Sequence, residues 1–302
     1  MDWKSTINGY KSYLLLERSL SSNSVDAYTS DIEKLAQFSV DTLAKTNPTT
    51  ITTKNLEDFI ISIHLTGLSD RTQARLISGL RSFYKFLLIE NVMQEDPTEL
   101  IEGPKLSQKI PDFLSIEEMG MILESIDLSH PQGQRNRAIL ETLYSCGLRV
   151  SELVNLKISN YYPDLGFVKV IGKNDKERIV PIGSVAIKFI DYYLDCIRRH
   201  MHVDGASEDI LFLNRRGKRL SRVMIFNVVK KAVFDTGIKK TVSPHTFRHS
   251  FATHLVEGGA DLKSVQDMLG HESITTTEIY THLDTKFLRE TILLYHPRNL
   301  GV

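Results

Sequence analysis

Two arginines, a lysine, two histidines and a tyrosine in the second half of this chain have the types and spacing to act on a phosphate ester. They are Arg149 in LYSCGLRVSELVNL, Lys173 in VIGKNDKERIVPIG, His245 and Arg248 in SPHTFRHSFATHL, and His271 and Tyr280 in LGHESITTTEIYTHL. A phosphodiester is an anion with a poor leaving group, and in-line attack adds negative charge to its non-bridging oxygens. The catalyst therefore needs cations aimed at that charge, a nucleophile and an acid for the departing oxygen. Arg149 and Arg248 suit the first task, because a guanidinium stays protonated and its planar fork matches two phosphate oxygens. His245 and Arg248 lie three apart and so share one helix face. Ser243 reads as the N-cap and Pro244 as the first helical residue, which puts His245 in the first turn beside unpaired backbone N–H groups.

The order Arg, Lys, His-x-x-Arg, His, then Tyr nine residues later resembles the tyrosine recombinases of the phage integrase family. Within it the chain is most similar to the bacterial Xer recombinases of the XerD/XerC type, and the resemblance covers essentially the whole length. It implies that Tyr280 is the nucleophile and forms a 3′-phosphotyrosine with DNA. It also implies that Arg149 and Arg248 hold the scissile phosphate, and that Lys173, directly after the glycine ending a strand, is the acid for the 5′ oxygen. His271 would hydrogen-bond the same phosphate from the turn made by Gly270. A phenol has a pKa of ~10 and requires activation, for which His245 is the candidate base. A 3′-phosphotyrosine conserves the bond energy, so rejoining needs no ATP, and no cofactor or metal is expected.

Taken singly, each residue has a blander reading. Arg149 beside Glu152 could be a surface ion pair, Lys173 a solvated lysine, His271 a histidine satisfied by a local carbonyl, and Tyr280 a core aromatic. His249 and His254 invite a zinc reading, but no cysteine or carboxylate has ligand spacing to them, and packing roles fit better. Gly258-Gly259 lacks a following Lys-Ser/Thr and a preceding strand, so it reads as a helix stop and not as a phosphate loop.

The elements that must position these residues are mainly α-helical, with a small β-hairpin. Helical spacing runs through Trp3–Leu15, Ser24–Phe38, Leu56–Leu65 and a segment starting at Asp70, so residues 1–96 read as a helical, SAM-like core-binding domain. Residues 97–114, PTELIEGPKLSQKIPDFL, carry three prolines and read as a linker. Residues 115–302 form the catalytic domain. It opens with a Ser115/Glu118 capping box, continues with a helix over 134–145 broken by Gly147, and then a hairpin of Phe167–Ile171 and Arg178–Pro181. From Val185 onward the pattern is mostly helical, with a helix from Asp261 to Leu269, a short β-branched segment around Ile274–Ile279 that reads as a marginal, detachable helix, and a last helix over 284–295.

With 302 residues, 41% hydrophobic and 25% charged, the chain has the composition of a globular protein. No apolar run approaches the ~20 residues of a membrane span, and no secretory leader is visible. Two cysteines, Cys146 and Cys196, fit a reducing cytoplasm. The net charge is zero, so contact with DNA is expected to rely on local clusters such as Lys173/Lys176/Arg178, Arg215/Arg216/Lys218/Arg219 and Lys230/Lys231/Lys239/Lys240.

The resemblance further implies a clamp of two domains on double-stranded DNA and a tetramer exchanging strands through a Holliday junction. It implies resolution of chromosome dimers during cell division, together with a paralogous recombinase and a septal DNA translocase. Other expectations compatible with the residues are an integrase or invertase of a mobile element, a type IB topoisomerase, or a DNA-binding protein with a silent active site.

Overall fold

The computed structural model describes residues 2–45, 47–104, 113–172, 176–270 and 282–299, except the side chains of 282–286. The chain divides into two compact units, Met1–Lys109 and Ile110–Val302. Residues 105–112 of the expected linker, Lys173, His271, Tyr280 and the whole Ile274–Ile279 segment lie outside the described residues. Among the described residues, no helix is long and apolar enough to cross a membrane.

Among the described residues, the first unit contains four α-helices, α1 (Trp3–Leu16), α2 (Ser22–Leu43), α3 (Thr53–Leu65) and α4 (Asp70–Ile89). Each begins at a side chain suited to capping. Asp2, Thr52 and Ser69 accept a backbone N–H of their first turns, satisfying donors the helix leaves open. The apolar stripes meet in one core of Tyr10, Leu14, Ile32, Leu35, Phe59, Leu80, Phe83 and Leu87. Helix α2 runs five residues beyond the expected Phe38. It stops where Ala44 turns left-handed, and the Ser39 hydroxyl donates to the Lys45 carbonyl at 2.7 Å. Ile101, near the start of the expected linker, is buried in this core.

The second unit centres on α6 (Pro131–Cys146), which is buried without a break from Arg137 onward. Around it pack α5 (Ile116–Glu124), α8 (Ser184–Tyr192) and α10 (Pro244–Glu257). The remaining helices are α7 (Val150–Val154), α9 (Arg222–Thr236), α11 (Leu262–Leu269) and α12 (His282–Tyr295). A three-stranded antiparallel sheet in the order β1 (Tyr161–Tyr162), β2 (Phe167–Ile171), β3 (Glu177–Pro181) contains the expected hairpin. Its register pairs Phe167 with Pro181 and Ile171 with Glu177, and Val168, Val170 and Val180 face the core. The stretch from Tyr193 to Ser221, expected to be mostly helical, is largely not. A π-turn over 193–197 gives way to short 3-10 turns and two isolated β-bridges, Lys157 with Ile210 and Leu213 with Arg219.

The C-terminal helix covers its own chain. Leu288 and Ile292 are buried in the second core, and His296 beyond them is fully buried, its ring 4.6 Å from that of Tyr144. Arg298 then reaches back to Glu141 of α6 with two hydrogen bonds, of 2.5 and 3.2 Å.

Candidate active site

Three of the six expected residues fall within the described structure, and two of them meet. Helix α6 ends at Gly147, whose φ of 57° is the left-handed region that glycine tolerates. A Cβ there would lie 2.4 Å from the Phe251 ring and 3.1 Å from Leu269, so the tight turn needs both the backbone freedom and the missing side chain. This turn sets Arg149 at the head of α7. Glu152, in that helix's first turn, accepts from the Arg149 backbone N–H at 2.8 Å and from its Nη1 at 2.9 Å.

Arg248 arrives from α10, whose start follows the expectation. Ser243 caps it, Pro244 opens it, and the Ser243 N–H donates to the Thr246 hydroxyl. Arg248 is buried and donates to the Gly147 carbonyl at 2.8 Å and to the Leu269 carbonyl at 2.5 Å. Arg149, with 36% of its side chain exposed, donates to the next carbonyl, Gly270, at 3.1 Å. The two guanidinium groups thus converge on the last carbonyls of α11, immediately before His271. His245 sits one turn ahead of Arg248 and is exposed. Lys173 and His271 follow Gly172 and Gly270 in sequence and, with Tyr280, lie outside the described residues.

A third arginine, which the sequence does not mark as a site residue, completes the cluster. Arg178 in β3 was grouped with the DNA-contacting lysines of the hairpin, but it is buried, on the same inward face as Val180. It donates to both oxygens of Glu152, at 2.7 and 2.9 Å, and through Nε to the Met268 carbonyl at 2.9 Å. Strand alternation was the available signal, because Arg178 takes the core-facing register of its strand. What the sequence could not supply was its partner, in a different helix.

The electrostatics follow from this geometry. Burial drives the Glu152 pKa upward, but the hydrogen bonds and charge of Arg178, then those of Arg149, outweigh it and hold the carboxyl below its usual range. Burial, with the like charges of Arg149 and Arg178, brings Arg248 down to about 10, so it remains cationic at neutral pH. Arg149, Arg178 and Arg248 against Glu152 leave an excess of two positive charges among these four side chains, suited to an anion.

Of the other histidines of α10, His249 is half-buried with its ring 6.3 Å from that of Phe113, and His254 packs as expected. His254 is buried, and its Nε2 donates to the Leu114 carbonyl at 2.8 Å, which leaves Nδ1 to accept from the Tyr144 hydroxyl at 2.8 Å. Burial holds its pKa below the ordinary value. Ser250, also on α10, accepts from the Leu114 N–H at 2.9 Å.

Comparison with known proteins decides the family. The profile described as "Phage integrase family" matches residues 112–286, and "Phage integrase, N-terminal SAM-like domain" matches residues 7–91. The chain belongs to the phage integrase family. It is similar to tyrosine recombinase XerD of Chlorobaculum tepidum, 44% identical over 98% of this chain and 97% of the relative. Tyrosine recombinase XerD of Listeria innocua is 39% identical over 97% and 98%. The solved structure of XerH site-specific recombinase bound to a palindromic difH substrate, a post-cleavage complex, matches with a TM-score of 0.71. That match has 27% identity and covers 92% of this chain and 81% of that one. As a tyrosine recombinase, the chain is a site-specific DNA recombinase with a helical SAM-like domain and a catalytic integrase domain.

Proposed function

We propose that this recombinase cuts and rejoins DNA through a 3′-phosphotyrosine at Tyr280. Arg149 and Arg248 grip the non-bridging oxygens of the scissile phosphate and stabilise the charge that grows there. His245 takes the phenol proton, Lys173 protonates the 5′ leaving oxygen, and His271 supports the phosphate. The observation that carries this reading is the meeting of Arg149 and Arg248 at the Gly270 end of α11, one residue before His271 and ten before Tyr280. Residues 1–96 and 115–302 act as the two jaws of a clamp on duplex DNA, joined by the linker 97–114. Four protomers then exchange strands in pairs through a Holliday junction. Similarity to XerD proteins supports resolution of chromosome dimers at cell division in the cytoplasm, with a paralogous partner recombinase and a septal translocase.

The test is a nicked suicide substrate carrying the cognate site, incubated with the partner present. The expected result is a covalent protein–DNA adduct that disappears in Tyr280→Phe. An adduct that persists in Tyr280→Phe would reject Tyr280 as the nucleophile, and no adduct with the intact protein would reject the reading altogether.

A further inference from the structure

We propose that Arg178 is a positioning residue for the recombinase active site, acting as the counter-ion that frees Arg149 for the phosphate. The proposal rests on the assignment of Arg149 and Arg248 to phosphate binding. Its starting point is a problem set by Glu152. A buried carboxylate 2.9 Å from Arg149 fixes that side chain but also cancels the charge it should bring to the substrate. Arg178 answers this by gripping both oxygens of Glu152 in a fork-to-fork pair, within a buried pocket where such a pair is strongest. Glu152 can then orient Arg149 while its charge is met elsewhere.

Arg178 also lies beside Gly270 and Gly172, the residues that precede His271 and Lys173 in sequence. Its Nε holds the Met268 carbonyl, so Arg178, Arg248 and Arg149 take the successive carbonyls of Met268, Leu269 and Gly270. A Cβ added to Gly270 would meet Arg178 Cδ at 3.1 Å, and one added to Gly172 would lie 3.6 Å from Arg178 Nη1. One buried side chain therefore contacts Glu152 and the end of α11 and lies beside the root of the hairpin loop.

The experiment measures single-turnover adduct formation on the nicked substrate, alongside site affinity by gel shift and thermal stability. The variants are R178K, R178Q and the double variant R178Q E152Q. R178Q and R178K should cut more slowly by about 10–100-fold, the range that outer partners command at metal centres, with site affinity within about threefold of the parent because DNA-facing residues are untouched. Removing one member of a buried pair leaves the other charge uncompensated, so adding E152Q to R178Q should restore the rate by at least about threefold. A purely structural arginine would lower affinity, melting temperature and rate together, and the double variant would be no better than R178Q. Either that pattern, or R178K and R178Q cutting at the parental rate, overturns the proposal. If R178Q fails to fold, comparing R178Q E152Q with E152Q alone decides it: equal rates support a counter-ion role, and a further large loss refutes it. Absence of any adduct with the unaltered protein would instead sink the underlying reading of the site, which the Arg178 variants cannot do.

Discussion

Replacing Gly147 with alanine tests whether the turn before Arg149 is built as described. The position has φ 57°, and a non-glycine residue held in the left-handed region costs about 1–2 kcal/mol. The added methyl would also sit 2.4 and 2.8 Å from Phe251 ring atoms and 3.1 Å from Leu269. Forcing an extra carbon into a packed core adds about 1–3 kcal/mol. Reduced freedom of the unfolded chain offsets only about 0.4–1 kcal/mol. The balance is a destabilisation of about 2–4 kcal/mol, lowering Tm by roughly 4–16 °C for a unit of this size. Gly120→Ala is the matched control. Gly120 lies inside α5 with nothing within 4 Å of an added Cβ, so alanine there should raise Tm slightly. Calorimetry of the three proteins gives the comparison, and adduct formation by G147A should fall as well, because the Gly147 carbonyl holds Arg248. A G147A protein melting within about a degree of the parent would refute both the packing and the backbone argument.

Two further outcomes follow from the charges. Burial holds the His296 pKa at about 3, below its ordinary 6.5, so the unfolded chain binds the proton first. Its contribution to stability is full above about pH 6.5 and drains as pH falls towards 3, and urea titrations should show a shallower acid loss in His296→Gln. An identical pH slope in both proteins would contradict this. Binding to the DNA site is expected to weaken steeply with added salt despite the zero net charge, if exposed basic clusters such as Arg215/Arg216/Lys218/Arg219 meet the phosphates. Affinity unchanged between 50 and 200 mM salt, a range over which about six to ten phosphate contacts lose roughly 10³–10⁵ in affinity, would reject that view.

Local rules made much of this fold legible. Ser115 and Glu118 cap α5 reciprocally, Ser243 and Pro244 open α10, and Asp261 and Gly270 bound α11, each at the residue the sequence indicates. These features depend on neighbours within four positions. Strand β1 escaped notice because two residues, Tyr161 and Tyr162, are too few to display alternation. The region 193–221 misled because its apolar residues also suit a helix, while its turns and bridges answer to distant segments such as Leu156. Gly217, at φ 72°, leaves no room for a Cβ against the His202 carbonyl, a close approach the sequence does not announce.

The site divides along the same line. Arg149, His245 and Arg248 carry recognisable local strings, and the structure brings Arg149 and Arg248 to adjacent carbonyls. Arg178 carries no such string. Its bonds reach Glu152, 26 residues back, and Met268, 90 residues on, so its role exists only once the chain has folded.

Arg149 and Arg248 are proposed to neutralise one phosphate together in the transition state. The most direct measurement compares cleavage of a normal site with one whose scissile phosphate is an uncharged methylphosphonate. On the normal site, R149A and R248A should lose about 10²–10³ in rate, the loss typical of one missing charge-stabilising donor. On the neutral site, where less charge develops, the same variants should lose far less. Equal losses on both substrates, or none on either, would contradict the account.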